Sequence, residues 1–307
     1  MTEAILFPHL GMKFEHVGRA ISIFGFDITF YGILVALGLL IGMGVVLLEV
    51  SYTRQSAEQY LDYAVLAIAA AVLGARLYYV MFSWSVYKGH FFSMFNLRNG
   101  GLEFYGGLIA FIIVTVVYSF RKQESTGLML DTMTNGILVF QIISIWGNFY
   151  NRNSVGEYTD SLLAMKLPID ALRTIDVTDR MRNHMDIIGN IRFVQVHPVF
   201  LYESLWCIGI LILLILYRQY KKFDGELFLV YLILYSVGRF WIENLRTDAL
   251  MFPGGTFHVS KAVAVLFIIG SIVLIIYNRM NEERKRFRKI RNNDEPGLKT
   301  IKKRKFR

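Results

Sequence analysis

Four polar residues with helical spacing interrupt the apolar segment YLILYSVGRFWIENLRTDAL, residues 231–250. They are Tyr235, Arg239, Glu243 and Arg246, at intervals of four, four and three residues, which places them on one face of a continuous helix. Guanidinium groups bind carboxylates and phosphates through paired hydrogen bonds. Two interpretations are open. The stripe is an ion-pair staple between helices, or it is an anion site, because Glu243 can neutralise only one of the two arginines.

Paired glycines mark a second candidate site in NGGLEFYGGLI, residues 99–109. Gly100 and Gly101 precede Gly106 and Gly107, and glycines this dense at a helix start indicate close approach of the backbone to another helix or to a ligand. Tyr105 lies between the pairs. Its hydroxyl either contacts a lipid headgroup or anchors the helix end at the membrane interface.

Several other polar groups have both a structural and a chemical interpretation. Asn148, Asn151 and Asn153 in WGNFYNRN could cap a turn or hold a substrate hydroxyl. His197 in HPVFLYE is either a satisfied interface histidine or a base, and Arg76 either reaches the membrane interface or pairs inside the bundle. The sequence contains no metal-ligand spacing, P-loop or dinucleotide fingerprint, so we expect neither a metal nor a cofactor.

The composition shows which elements must position these residues. Of the 307 residues, 54% are hydrophobic and 19% are charged, against about 45–50% and about 25% in water-soluble domains. A single cysteine excludes a disulfide scaffold. The apolar excess falls in runs of about 20 residues, the length that crosses a bilayer. We therefore predict an all-α polytopic membrane protein with about seven transmembrane helices. The predicted spans are 28–48, 61–82, 104–120, 128–146, 199–217, 226–243 and 259–277.

Loop charges predict the orientation. With the amino terminus outside and the carboxyl terminus in the cytoplasm, the cytoplasmic side carries 19 Lys and Arg, 13 of them in 278–307, against 11 outside. Such asymmetry is typical of cytoplasmic loops. We expect residues 1–277 to form one transmembrane domain, with 147–198 as a small extracytoplasmic head containing a helical stretch at 177–188 and a strand at 191–196. The tail 278–307 is interpreted as an anchor on anionic membrane lipids, not as a nucleic-acid site.

Six segments together resemble one known family. They are FYGILVALG (30–38), LGARLYYV (73–80), NGGLEFYGGLI (99–109), WGNFYN (146–151), HPVFLYE (197–203) and LYSVGRFWIENLR (234–246). In this order they are similar to the prolipoprotein diacylglyceryl transferase family, over nearly the whole chain to about residue 277. The resemblance implies a seven-helix bundle in the bacterial cytoplasmic membrane, with a head on its outer face.

The resemblance also implies a reaction and its partners. The diacylglyceryl group of phosphatidylglycerol is transferred to the lipobox cysteine thiol in the signal peptide of a prolipoprotein, a thioether forms, and glycerol phosphate leaves. This chemistry needs an arginine site for the phosphate, a way to deprotonate a thiol, and a lateral opening for lipid. Carried over by motif, functional positions are Tyr31, Asn148, Tyr235, Arg239, Glu243 and Arg246. We expect catalytic roles for Arg239, Glu243, Tyr105 and Tyr235, and substrate binding by Tyr31, Asn148, Asn151, Arg246, Gly106, Gly107 and His197.

Three departures from the family pattern bear on activity. Tyr105 stands where many members have histidine, Ile145 stands where the family usually has arginine, and Asn153 replaces a usual glutamate. Isoleucine cannot donate a charge-assisted hydrogen bond to phosphate, so either Arg152 substitutes or catalysis is lost. The alternatives to an active transferase are therefore a catalytically silent relative that binds phosphatidylglycerol or signal peptides and, less favoured, a transporter.

Overall fold

Long helices dominate the computed structural model, which describes residues 4–24, 26–88, 93–94, 101–252 and 257–304. The long helices are α1 (Phe30–Tyr52), α2 (Ala57–Phe82), α4 (Phe104–Lys122), α5 (Thr126–Ser144), α8 (Val199–Tyr217), α9 (Glu226–Ile242) and α10 (Val259–Arg304). Three short helices are α3 (Trp84–Tyr87), α6 (Gly147–Asn151) and α7 (Asp179–Asn183). Gly100, one of the paired glycines, lies outside the described residues.

Each predicted span coincides with a helix. Among the described residues, six helices are long and apolar enough to cross a membrane, namely α1, α2, α4, α5 continued through α6, α8 and the first part of α10. The 17-residue α9 is shorter, rising about 25 Å at about 1.5 Å per residue. The prediction of a polytopic helical membrane protein is confirmed.

Small residues let the helices approach closely. α2 packs against α4, α1 against α5, and α9 against α10. A Cβ atom on Gly42 would lie 2.6 Å from the carbonyl oxygen of Gly136, and one on Gly74 would lie 2.7 Å from that of Gly106. These pairs permit the backbone contacts that larger side chains would prevent. Gly106 is therefore a helix-packing residue.

Asp131 fixes the start of α9 at the end of the bundle where α4 ends. Its carboxylate accepts hydrogen bonds from the amides of Gly225 (2.8 Å) and Phe228 (2.9 Å), and Lys221 Nζ lies 2.9 Å away. The orphan amides of the first helical turn are thereby satisfied, which explains an acidic residue inside an otherwise apolar predicted span.

A small sheet covers the opposite end of the bundle, where α1 and α8 begin. Five antiparallel strands have the order β2-β1-β5-β7-β6, and β3 and β4 form a separate hairpin that leads into α1. The strands are β1 (Ile5–Phe7), β2 (Met12–Phe14), β3 (Ala20–Ile23), β4 (Phe26–Thr29), β5 (Met165–Pro168), β6 (Asp186–Ile188) and β7 (Ile191–Val196).

The sheet corrects one expectation about this region. The predicted strand at 191–196 is confirmed as β7, but the predicted helix at 177–188 is wrong in its second half, because 186–188 pairs with β7 through a turn in which Gly189 has a φ of +64°. Segment 147–198 shares its apolar core with the amino-terminal residues. β1 supplies Ile5 and Phe7 to its apolar core, so the core is larger than about fifty residues could form by themselves.

Candidate active site

An apolar cavity of about 440 Å³ lies among α1, α2, α4 and α5. Its wall includes Val35, Leu39, Phe111 and Phe140, and charged side chains line it only where these helices meet the sheet, among the described residues. The charged wall residues are Glu103, Glu203, Arg239 and Arg246. An apolar cavity with convergent polar groups suits an amphiphilic ligand.

Arg239 is the centre of the charged group. It lies in the last turn of α9 and is only 7% exposed. Its Nη1 donates to Glu203 Oε1 at 2.5 Å, its Nε lies 3.2 Å from Glu243 Oε2, and its Nη2 lies 3.9 Å from Glu103 Oε2. Three carboxylates from different segments therefore hold one guanidinium, which is the arrangement that a buried charge requires.

Arg246 is held by a second group of acceptors. Its Nε donates to Asp248 Oδ1 at 2.9 Å, and its Nη1 lies 3.9 Å from Glu203 Oε1. The other oxygen of Asp248 accepts a hydrogen bond from Ser154 at 3.4 Å and one from Arg173 at 3.3 Å. Burial raises the pKa of Asp248, but the charges of Arg246 and Arg173 outweigh it, and the pKa lies below its ordinary value.

The polar stripe is therefore arranged differently from the prediction. α9 ends at Ile242, and Arg246 instead pairs with Gly156 of the head in an isolated antiparallel bridge. The expectation that Glu243 is the sole neutralising partner is wrong, since carboxylates from three other segments also contact the arginines. Helical spacing reports neighbours on one helix only, so it could not reveal them.

Four further predicted residues line the cavity. Tyr31 in the first turn of α1, Asn148 in α6 and Tyr235 in α9 all belong to its wall. A Cβ atom on Gly147 would lie 2.6 Å from Tyr31 Cδ2, so the glycine before Asn148 allows α6 to approach α1. The structure thus brings Tyr31, Asn148 and Tyr235 to the same cavity as the two arginines. Gly107 also lies in the wall.

The other predicted site residues lie away from the cavity wall. Tyr105 is buried in an aromatic cluster, with ring centroids 6.2 Å from Tyr235 and 5.7 Å from Phe267. Gly106 faces Gly74 and Tyr78 of α2. Both positions pack between helices, and the catalytic role expected for Tyr105 and the substrate contact expected for Gly106 stay predictions.

His197 and Asn151 are also outside the cavity wall. His197 belongs to the head, where its Nδ1 lies 3.3 Å from Tyr202 Oη and its carbonyl accepts the Gly156 amide. Burial lowers the pKa of His197, with a smaller contribution from the charge of Arg180. Asn151 is the last residue of α6. Among the described residues, neither side chain belongs to the cavity wall, and the substrate contacts expected for His197 and Asn151 stay predictions.

Ile145 lies in the wall beside Glu203, Tyr235 and Arg239. Arg152 lies outside the cavity wall. Its left-handed backbone, with φ of +55°, directs a buried guanidinium to the carbonyls of Val17 (2.6 Å) and Tyr150 (3.1 Å). The substitution of Arg152 for the missing arginine stays a prediction. Asn153 donates its amide to the Asn148 carbonyl at 3.1 Å and is not in the wall.

Arg76 pairs inside the protein, which is the second of the two interpretations considered for it. It is 5% exposed and donates to the carbonyls of Ser93, Met94 and Gly101 at 2.7–3.1 Å. It therefore ties the segment before α4 to α2.

Sequence reasoning overlooked Glu103 and Asp248 as site residues. The sequence carried no clear signal for either, because both lie outside the long helices, where charged residues are ordinary.

The helices and the buried charged group define a class of protein, a polytopic membrane protein with an apolar cavity that ends at buried charged side chains. The sequence comparisons identify the family. The family model described as prolipoprotein diacylglyceryl transferase matches residues 19–277, and the chain belongs to this family.

Curated relatives cover most of the chain, and each is named phosphatidylglycerol–prolipoprotein diacylglyceryl transferase. The protein from Clostridioides difficile is 36% identical over 86% of this chain and 98% of its own length. Those from Listeria monocytogenes and Bacillus cereus are 34% and 35% identical over 85% and 87% of this chain, and over 89% and 94% of their own lengths. The resemblance seen in the six motifs is confirmed.

Proposed function

We propose that this protein transfers the diacylglyceryl group of phosphatidylglycerol to the lipobox cysteine thiol of a prolipoprotein. The main support is the cavity, which has an apolar wall and has Arg239 and Arg246 at one end. The lipid chains lie along the apolar wall, and the phosphate lies at the arginines. Family membership favours this reaction over a transporter.

The site residues divide the chemistry between them. The thiolate sulfur forms a bond to the glycerol carbon while the bond from that carbon to the phosphate oxygen breaks, and glycerol phosphate leaves with the electron pair. Arg239 and Arg246 stabilise the negative charge on the departing phosphate. Glu243 and Glu203 hold the Arg239 guanidinium in position, and Tyr31, Asn148 and Tyr235 offer hydrogen bonds to the headgroup.

The reaction also requires a defined membrane topology. α9 serves as the seventh span, the sheet forms the extracytoplasmic head, and residues 278–307 form a cytoplasmic tail on the bacterial cell membrane. The charged end of the cavity adjoins the sheet, so the headgroup lies on the outer side. There a prolipoprotein signal peptide presents its cysteine after export. The excess of Lys and Arg on the opposite side supports this orientation.

A catalytically silent relative is the alternative that Ile145 raises, and the family match and the curated relatives named as transferases do not favour it. Complementation distinguishes the two. In cells depleted of their own transferase, the protein should restore growth, and mass spectrometry should find a thioether-linked diacylglyceryl group on one lipoprotein. Arg239→Ala should abolish both, while Arg121→Ala, a matched change at an exposed arginine, should not. Phosphatidylglycerol binding without modification of the lipoprotein would instead establish the silent relative.

A further inference from the structure

The charged group carries more negative than positive charge. Within the described residues, the guanidinium groups of Arg239 and Arg246 face four carboxylates. Arg173 and Asp176 pair with each other at 2.7 Å and leave this balance unchanged. Fully ionised, the group has a surplus of two negative charges before any anionic ligand enters. A phosphate could not bind well beside such a surplus. The four carboxylates are those of Glu103, Glu203, Glu243 and Asp248.

Glu103 is the least firmly held of the four carboxylates. Glu203 and Asp248 each accept a hydrogen bond from an arginine at 2.5 and 2.9 Å. Glu243 lies 3.2 Å from Arg239 and accepts no hydrogen bond from the described residues, but it is not in the cavity wall. Glu103 lies 3.9 Å from Arg239, and its carboxylate accepts no hydrogen bond from the residues that the structure describes. It is 8% exposed and belongs to the cavity wall. It is therefore the carboxyl that is free to contact a ligand.

We propose that Glu103 contacts the phosphate of the lipid headgroup as a neutral carboxylic acid, donating a hydrogen bond, so that lipid binding takes up one proton. This inference rests on the proposed function, because it names a contact of the same substrate. A protonated carboxyl is a donor, whereas a carboxylate only accepts. Protonation of Glu103 therefore removes one of the two surplus negative charges. It also adds one hydrogen-bond donor for the phosphate, where the arginine usual at position 145 is replaced by Ile145.

The surroundings of Glu103 favour the neutral form. Burial raises its pKa, while Arg239 and Arg246 lower it and two nearby carboxylates raise it, with the net result above the ordinary value. A phosphate anion in the cavity adds a further negative charge and raises the pKa again. The ionisable groups around Glu103 are, in the cavity wall, Tyr31, Glu203, Tyr235, Arg239 and Arg246, and, behind the wall, Tyr78, Tyr105, Glu243 and Asp248.

Lipid binding as a function of pH tests the proposal. The full-length protein in nanodiscs of zwitterionic lipid is titrated calorimetrically with a short-chain phosphatidylglycerol between about pH 5 and pH 9, around the ordinary range of carboxyl and imidazole groups. Above the pKa of free Glu103, the wild-type affinity should fall by up to about tenfold per pH unit, as linkage to one proton requires. Glu103→Gln, which keeps a donor without a charge, should bind with little pH dependence. The control Glu15→Gln, at an exposed site, should follow the wild type.

Each outcome has a defined meaning. A wild-type affinity that does not change with pH overturns the proposal without any variant, and so does an unchanged pH dependence in Glu103→Gln. The deacylated headgroup glycerophosphoglycerol, which keeps one charge over this range, separates the sources of phosphate. Weaker binding with the same pH dependence assigns the contact to a lipid headgroup, and equal affinity assigns it to a soluble phosphodiester. Proton-linked binding without transferase activity would refute the proposed function and leave this inference standing.

Discussion

Replacing Ile145 by arginine tests directly whether the charged end of the cavity binds phosphate. Ile145 follows α5, and its side chain lies in the wall beside Glu203 and Arg239. Its amide donates to the Gln141 carbonyl, and its carbonyl accepts the Asn148 amide, both at 3.0 Å. These backbone bonds do not depend on the side chain. An arginine there adds a third guanidinium where carboxylates outnumber guanidinium groups.

The expected gain follows from one charge-assisted hydrogen bond. Such a bond to phosphate contributes about 1.5–3 kcal/mol, which is roughly 10- to 100-fold in affinity. Isoleucine contacts both apolar cores, and loss of part of this packing costs about 1 kcal/mol, mainly in the free energy of unfolding. We expect Ile145→Arg to bind phosphatidylglycerol about tenfold or more tightly than the wild type, with a slightly lower melting temperature.

The assay compares three proteins in nanodiscs at one pH. Dissociation constants for short-chain phosphatidylglycerol are measured for the wild type, Ile145→Arg and Ile145→Met, which keeps an apolar side chain of similar volume. Transfer to a lipobox peptide is followed in parallel. The reasoning is refuted if Ile145→Arg binds no more tightly than Ile145→Met while both proteins remain folded, because the phosphate would then lie elsewhere.

Two further predictions concern the scaffold. Gly106→Val should lower the melting temperature by several degrees, because the new side chain meets the Gly74 backbone; an unchanged melting temperature in a thermal scan would contradict the packing assigned to α2 and α4. Asp131→Ala should cost about 3–5 kcal/mol in the free energy of unfolding, because it removes a buried ion-pair partner of Lys221 and two amide contacts. Asp224→Ala, at a half-exposed carboxylate of the same cluster, should cost about 1 kcal/mol or less in the same denaturant titration.

The helical part of the fold could be predicted well from the sequence because a bilayer span has a nearly fixed length and apolar composition. The predicted span at 199–217 matches α8 at both ends. The sheet was only partly predictable. β7 is six residues long and includes Ile191, Phe193 and two valines, residue types that favour strands. β1 and β2 have only three residues each, and β1 pairs with β5, about 160 positions away. Short strands stabilised by such distant partners leave almost no local signal.

The part of the candidate site that could be predicted is the part with a charged residue inside a membrane span, where inserting the charge costs free energy. An arginine inside an apolar span is such a residue, and Arg239 could be identified for that reason. The family motifs added Tyr31 and Asn148, which line the same cavity. The carboxylates that hold the arginines were less visible. Glu103 and Asp248 lie outside the long helices, where charged residues are ordinary, so their role depends on contacts that only the fold creates.

Ile145 and Glu103 belong to one physical problem, the charge balance at the end of the cavity. An anion site needs positive charge or hydrogen-bond donors, and the described site has two guanidinium groups for four carboxylates. A proton on Glu103 changes that balance in the same direction as an arginine at position 145. The two changes should therefore be partly redundant. If an arginine at 145 supplies the missing charge, phosphatidylglycerol binding should depend less on the protonation of Glu103, and the pH dependence should weaken as the affinity rises.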